Sequence, residues 1–521
     1  MRLSLLGTLV LWMPLACLAQ AERPATANYE VGPEAEWVLP PPPGAGARAK
    51  EASASGGAEY ILVDRQVRLE RAALEYEHYV VRTRSSAGVS SESQISVEFD
   101  PKLERLRVHH VIVHRGTESI DQLKRGRIEV LQRESELEQG LLDGRLTFHL
   151  VMADVRVGDT IDYSYTLERS EPEWGERFFS RFRTDWAEPV HVSRLRVSAR
   201  TEQPLKLANQ SGVEPVTHTA EGWRTLEWIW HDLPGQLAEK GTPAWFNQYR
   251  HIEFSQFADW NEVVQAALPL YATPEPGPEL AATIARFRAE GHSDPERLVA
   301  ILRFVQDEIR YEGVELGEGA YRPTDATTVL QRRWGDCKDK TMLAVILLRG
   351  VGIEAAPALV DTRLHEHVSE RLPSPGVFNH AIVRARIGAA TYWLDATQSA
   401  QGGDLEHLVQ ANYGAALAVS AGSHGIEPIP YDPASEPAST VSMFADLRRG
   451  YDKPVTFTVS TVHRGSAADQ IRESLRDTSA QDLGSQYLKF YQGSYPGIRS
   501  TGPLQIQDDR PNNELRIDES Y

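Results

Sequence analysis

The sequence predicts an α+β, multidomain protein: a β-rich, sandwich-like domain first, a mixed helix and sheet domain in the middle, and a β-rich segment last. Three observations lead there. The length, 521 residues, exceeds one ordinary core and corresponds to about three domains at roughly 150 residues each. Period-2 alternation of apolar and polar residues dominates both ends of the chain. Helical periodicity is confined to the centre, beyond the turn-rich junction Tyr271-Ala272-Thr273-Pro274-Glu275-Pro276-Gly277-Pro278.

At the N-terminus, Arg2 precedes the apolar run Leu3 to Ala19, and Ala19-Gln20-Ala21 offers small residues to a signal peptidase. Residues 1–21 are therefore expected to be a signal peptide, with a mature chain beginning near Glu22 in the periplasm or outside a bacterial cell. Lipidation at Cys17 is the weaker reading, because Pro14 stands where a lipoprotein signal carries an aliphatic residue. No later window approaches the roughly 20 apolar residues of a membrane span, so membrane association is expected only through this segment, if it is retained. Residues 22–58 are rich in Pro, Ala and Gly, including Pro40-Pro41-Pro42-Pro43, and are expected to be a flexible lead-in.

Residues 59–245 alternate as strands do. Leu106, Val108, His110 and Ile112 share one face, and Ile161, Tyr163, Tyr165 and Leu167 share another after a turn at Val157-Gly158-Asp159. Trp223, Leu226, Trp228 and Trp230 crowd the last strand, as sandwich core in preference to an exposed aromatic surface. In the middle domain, expected over 270–420, Leu298, Ile301, Leu302, Val305 and Ile309 lie on one helical face, with Asp294 read as the N-cap and Pro295 as the first helical residue. A second, deeply buried helix is implied by the apolar run Met342 to Leu348. From 440 to 521, Val455, Phe457 and Val459 alternate, a polar helix-like stretch follows, and the chain stops within the strand-like Leu515 to Tyr521. This unit is read as β-rich and incomplete without further chain or a partner.

The net charge of −18, with no long block of Lys and Arg, argues against nucleic acid as a partner. Metal chemistry also finds little support. His365-Glu366-His367 would share a face only on a strand, no third ligand lies at useful spacing, and there is no HExxH helix. In His109-His110, neighbours on a strand point to opposite faces, so the pair is not expected to chelate from one side. No metal site and no cofactor are predicted.

Cysteine use is the informative feature. Outside the leader the chain has one thiol, Cys337, in Arg332-Arg333-Trp334-Gly335-Asp336-Cys337-Lys338-Asp339-Lys340. It stands just ahead of the buried apolar run, where the free N–H groups and dipole of a helix N-terminus favour a thiolate. Asp336 suits the N-cap, Asp339 the N3 position, and Gly335 a close backbone approach that leaves room for a substrate carbonyl. Both carboxylates oppose a thiolate, so a cationic partner such as an imidazolium is required. Downstream, Phe378-Asn379-His380 opens an alternating run that turns at Gly388 into Thr391-Tyr392-Trp393-Leu394-Asp395, a β-hairpin whose antiparallel pairing would bring His380 and Asp395 to one end. The register is open at this level. Cys337, His380 and Asp395 are the candidate catalytic residues: nucleophile, acid and base, and orienting carboxylate.

Gly335-Asp336-Cys337-Lys338-Asp339-Lys340, Asn379-His380-Ala381 and Trp393-Leu394-Asp395 resemble the three motifs of the bacterial transglutaminase-like superfamily, and Tyr311-Glu312-Gly313 through Tyr321-Arg322-Pro323 is similar to the segment that precedes them. The β-rich region before them resembles a domain of unknown function found ahead of such domains in secreted bacterial proteins. The resemblance implies a papain-like core, a helix carrying the Cys and an antiparallel sheet carrying His and Asp. It also implies acyl transfer through a thioester, with peptide, protein or peptidoglycan-stem substrates. Resolution by water would make a protease or amidase, and resolution by an amine a cross-linker; hydrolysis is preferred. The alternative is a non-catalytic periplasmic binding or assembly protein that uses the fold as a scaffold, since a free Cys is often a small core residue. The acyl donor, the acceptor and the oligomeric state are not readable from the sequence.

Overall fold

The computed structural model describes residues 29–44, 57–134, 140–290, 293–315, 317–431, 438–450 and 452–521. The leader and its expected cleavage site lie outside the described residues. In the N-terminal region the alternating segments assemble one large sheet. Its order is Tyr29–Val31, Glu104–Arg115, Thr160–Arg169, Ala73–Thr83, Ala58–Leu69, Val190–Arg200, Trp223–Leu233 and Val216–Ala220, with Glu118–Asp121 attached beside Glu104–Arg115. Two three-stranded sheets pack on it. One, of Gln94–Phe99, Leu146–Val151 and Arg127–Gln132, closes a core around Phe99, Phe148 and Leu150 against Leu106, Val108 and Ile161. The other, of Phe179–Arg183, His251–Ser255 and Lys206–Asn209, closes a core with Val63, Leu195 and Trp228.

Alternation explains the tryptophans. Trp228 and Trp230 point into that second core, Trp228 edge-on to Phe254 at 6.0 Å between centroids. Trp223, of opposite parity, lies between the guanidinium groups of Arg68 and Arg200, each 4.1 Å from its ring.

Residues 29–44, expected to belong to a flexible lead-in, instead cross the polar face of the large sheet. Tyr29–Val31 pairs in parallel with Leu106–Val108, and Leu39 exchanges hydrogen bonds with the Gln66 side chain at 3.0 and 2.9 Å. Buried amide and guanidinium groups of the sheet need partners, and the backbone of this proline-rich stretch, with few hydrogen bonds of its own, supplies them. Residues 45–56 lie outside the described set.

The middle of the chain is built on helices Pro278–Ala289, Asp294–Glu308, Ala326–Arg332 and Cys337–Gly350, packed against a five-stranded sheet ordered Ala390–Leu394, His380–Ile387, Glu354–Val360, Ala415–Ala418 and Glu427–Pro428. The Cys337–Gly350 helix lies under the sheet and among the other helices. Leu343, Val345 and Leu347 are fully buried there, each contributing about 1.5–3 kcal/mol of transfer free energy. The cap of Asp294–Glu308 differs from the expectation: Ser293 is the N-cap, Asp294 the first helical residue and Pro295 the second, because Glu296 reaches back to accept from the Ser293 N–H at 2.8 Å.

The last segment is an antiparallel sheet ordered Ala438–Asp446, Thr456–Arg464, Glu514–Ser520 and Gln505–Asp509, with helices Ser466–Asp477 and Ala480–Gln492. Among the described residues no helix is long and apolar enough to cross a membrane.

Candidate active site

Trp334–Gly335 forms a short parallel bridge with Arg310–Tyr311 and then turns into the helix at Asp336. Asp336 is the N-cap, its side chain accepting from the Asp339 N–H at 3.1 Å, and Cys337 is the first helical residue. The N–H groups of a first helical turn have no carbonyl partner within the helix, so the thiol sits beside uncommitted donors. Asp339 does not complete a capping box. Its carboxylate accepts from the Thr324 N–H at 2.6 Å and from Arg332 Nη2 at 2.6 Å.

Each carboxylate beside the sulfur therefore has a cation of its own: Asp339 has Arg332, and Asp336 has Lys338 at 2.5 Å, with both members of the second pair buried. The cationic partner these carboxylates require is thus supplied in part by Arg332 and Lys338. Arg332 also lies 3.6 Å from the Trp334 ring centroid, which gives that Trp a packing role. The room at Gly335, expected to admit a substrate carbonyl, is taken by Asp339: a Cβ there would meet Asp339 Cβ at 2.6 Å. Gly335→Ala is accordingly expected to displace the Asp339 carboxylate from Arg332 and Thr324. That costs about 1–3 kcal/mol, read as a lower urea midpoint together with slower alkylation of Cys337.

His380 opens the strand His380–Ile387, opposite Val360, and Asp395 follows the strand Ala390–Leu394. The hairpin register pairs Val383 with Leu394 and Ile387 with Ala390 across Gly388, whose φ is +61°. His380 and Asp395 thus meet at one end of the hairpin, with Nε2 3.1 Å from Asp395 Oδ2, and the Cys337 side chain is among the groups that act on the imidazole. Burial alone would lower the His380 pKa, but the Asp395 carboxylate and Cys337 outweigh it and raise it to about 10. Burial likewise opposes ionised Asp395, yet the His380 charge and hydrogen bonds from His380, Thr397 and Tyr413 hold it down at about 2.

Several supporting residues escaped the sequence reading. Tyr413 donates to Asp395 Oδ2 at 2.5 Å, and Thr397 donates to Oδ1 through its N–H at 2.7 Å and its hydroxyl at 2.6 Å. Gln306 Nε2 bonds the Asp395 carbonyl at 2.8 Å, and the Gln306 carbonyl in turn accepts from buried Lys340. Asp395-Ala396-Thr397 is an Asx-turn pattern that could have signalled Thr397. Lys340 belongs to the motif around Cys337, whereas Tyr413 and Gln306 come from other parts of the chain and carry no spacing signal.

Cys337 is 8% exposed and belongs to an apolar cluster with Trp174, Phe257, Tyr271 and Met342, so the N-terminal region supplies part of the wall. From the same region, Leu141–Leu142 pairs in parallel with Gly313–Val314, and Leu141 Cδ2 occupies the space where a Cβ at Gly313 would stand.

The other histidine motifs come out differently. His365-Glu366-His367 lies in a 3-10 turn, His365 bonding the Asn412 carbonyl and His367 stacking on Trp245 at 4.4 Å, so the two imidazoles do not converge. His109 and His110 do share a face. The register of Thr160–Arg169 against Glu104–Arg115 slips between Ser164 and Tyr165 and leaves His109 unpaired. This β-bulge cancels the alternation on which the sequence argument rested. His109 Nε2 bonds Thr166 Oγ1 at 2.8 Å and His110 Nδ1 lies 3.0 Å from Ser164 Oγ, on the same side. On this face His78, His110 and Asp162 bring ligand atoms within 4.8 Å of one another.

A thiol at a helix N-terminus facing a His and an Asp on an antiparallel sheet is the arrangement of papain-like thiol sites. Residues 281–397 match the transglutaminase-like superfamily, and residues 72–236 match a domain of unknown function, DUF3857. The chain thus carries a DUF3857 domain followed by a domain of the transglutaminase-like superfamily. Among solved structures, a candidate protease from Parabacteroides distasonis is similar with a TM-score of 0.58 at 13% identity, over 89% of this chain and 92% of that one. At that identity the likeness concerns the fold. A candidate cysteine protease from Cytophaga hutchinsonii matches at 15% identity over 43% of this chain and 79% of its own, with a TM-score of 0.21. Comparison with curated proteins found no match.

Proposed function

We propose that this protein is an exported cysteine acyl-transfer enzyme that hydrolyses peptide or amide bonds, with Cys337 as nucleophile, His380 as acid and base, and Asp395 as the group that orients and charges the imidazole. The observation that carries the reading is the His380–Asp395 pair at 3.1 Å beside a cysteine that opens a buried helix. His380 is held protonated, and the form proposed to react pairs it with the Cys337 thiolate. The sulfur attacks the substrate carbonyl carbon, and the oxygen takes up negative charge near the Cys337 N–H at the helix N-terminus. Collapse breaks the C–N bond as His380 gives its proton to the leaving amine, and a thioester remains. His380, now neutral, takes a proton from water as the hydroxide oxygen adds to the thioester. Expulsion of sulfur releases the acid and restores the ion pair.

Water is favoured over a protein amine as the acceptor because Cys337 is buried in a largely apolar cluster into which water needs no docking surface. Export is supported by the Arg2 to Ala21 pattern, and peptides or peptidoglycan stems are the substrates such a compartment offers.

Iodoacetamide alkylation of Cys337, followed by mass spectrometry from pH 5 to 9, tests the pair. Labelling is expected to be fast well below the free-thiol pKa of about 8.5 and to lose that behaviour in His380→Ala. Ordinary thiol behaviour in both proteins would favour the scaffold alternative. The ion pair also sets a pH window for stability. The His380 contribution is complete below its ordinary value and fades as pH rises towards about 10, while that of Asp395 is complete above its ordinary value and fades as pH falls towards about 2.

A further inference from the structure

We propose that His78, His110, His114 and Asp162 form a zinc-binding site on the polar face of the large N-terminal sheet, separate from Cys337 and independent of its chemistry. The register builds the group. Ser164 lies between His78 and His110, Asp162 faces Ile112 one step along, and Thr160 faces His114. His110, Ile112 and His114 share a strand face, so the two imidazoles flank Asp162 from one neighbouring strand while His78 reaches it from the other.

All three histidines present Nε2 to the same carboxylate. His78 and His110 each lie 2.8 Å from Asp162 Oδ1, and His114 lies 3.6 Å from Oδ2. The last distance is too long for a hydrogen bond: His114 is aimed at the carboxylate without bonding it. Ligands around zinc, at about 2.0–2.2 Å from the ion, stand roughly 3.4 Å apart in a tetrahedron. The ligand atoms of His78, His110 and Asp162 lie within 4.8 Å of one another and need small side-chain shifts to reach that geometry, whereas His114 stands outside that group and must swing towards it.

The groups behind the imidazoles suit a metal ligand, whose second nitrogen is usually tied to an acceptor that sets the tautomer. His114 Nδ1 lies 3.0 Å from Ser119 Oγ and His110 Nδ1 lies 3.0 Å from Ser164 Oγ. The Ser164 hydroxyl is also 2.9 Å from Glu34 Oε1, an acceptor that takes a second bond from Tyr76 at 2.7 Å. A hydroxyl has one proton. Given to Glu34, it leaves Ser164 Oγ to accept from His110 Nδ1, and the Nε2 lone pair then faces Asp162. His78 is less well served, since its buried Nδ1 has no hydrogen-bond partner.

Three imidazoles and one carboxylate suit zinc among common ions, because calcium and magnesium take oxygen ligands. With His114 drawn in as the fourth ligand, the tetrahedral shell closes and the site is structural. It would clip together the strands Ala73–Thr83, Glu104–Arg115 and Thr160–Arg169. His114 and Asp162 are partly exposed and give zinc a way in.

The test uses the full chain carrying Cys337→Ala, so that zinc on the thiol is not counted. The protein is stripped with a chelator, dialysed against zinc chloride, and measured by elemental analysis and thermal unfolding. One retained equivalent with a raised Tm is expected. Both should disappear when His110→Ala and His114→Ala are added, and Ser164→Ala should weaken zinc by about 10- to 100-fold. Iodoacetamide labelling of Cys337 in the two-histidine variant with its thiol intact, at the parent's rate, reports that the variant is folded. If it is not, the single His114→Ala variant replaces it. No zinc retained by the parent, or equal zinc in parent and variant, would overturn the proposal and leave a hydrogen-bonded network alone.

Discussion

Cys337→Ala is expected to reduce hydrolysis of a peptide amide to background, while His380→Ala and Asp395→Asn each lower kcat/KM by about 10²–10⁴-fold. In the proposed mechanism the sulfur supplies the electron pair that forms the thioester, and the only other cysteine in the sequence is Cys17. His380→Ala removes both the proton given to the leaving amine and the base that activates water. Asp395→Asn keeps one oxygen, for Thr397 or for Tyr413 but not for both, and loses the charge that raises the His380 pKa. The expected signature is therefore a shift in the pH profile as well as a lower rate. Acid quenching with mass spectrometry should detect a Cys337 thioester in the parent and none in Cys337→Ala. Undiminished turnover in Cys337→Ala would sink the assignment. The three losses are also expected to be far from additive, because the residues act on one proton and one bond.

The second large effect is on stability. Lys338→Met is expected to cost about 3–5 kcal/mol, because buried Asp336, whose pKa burial already raises, would lose the cation that offsets its charge. Urea unfolding followed by tryptophan fluorescence measures this. Asp336→Asn added to Lys338→Met should recover much of the loss, since both charges then leave together. In Lys338→Met, alkylation of Cys337 should also require higher pH, because an uncompensated carboxylate at the cap opposes negative charge on sulfur. Equal stability of parent and single variant would show that Lys338 does not neutralise the cap.

The candidate site was legible where one segment carries both the residue and its setting. Cys337 is marked by the turn before it and the apolar run after it, and Asp336 by the N-cap position. The hairpin from His380 to Asp395 is marked by alternation around Gly388. What escaped was set by pairing between distant segments. The partner of Asp339 is Arg332, on a helix that ends just before the site, and the Gly335 space belongs to Asp339 and not to substrate. Tyr413 reaches Asp395 from a stretch without regular structure. Residues 29–44 read as linker because hydrogen bonds to Gln66 and Arg194 have no sequence period.

The sequence by itself determined the order of the domains, the single thiol at a helix start, and a histidine and an aspartate on one hairpin. These follow from local periodicity and turn chemistry, which act over a few residues. Only the tertiary structure decided the His380–Asp395 register, the cations that neutralise Asp336 and Asp339, and the wall that the N-terminal region raises beside Cys337. It also decided that one bulged residue brings His109 and His110 to the same face and sets His110 beside Asp162. Strand register and long-range burial depend on which segments meet, and a one-residue slip in pairing moves a side chain from one face of a sheet to the other.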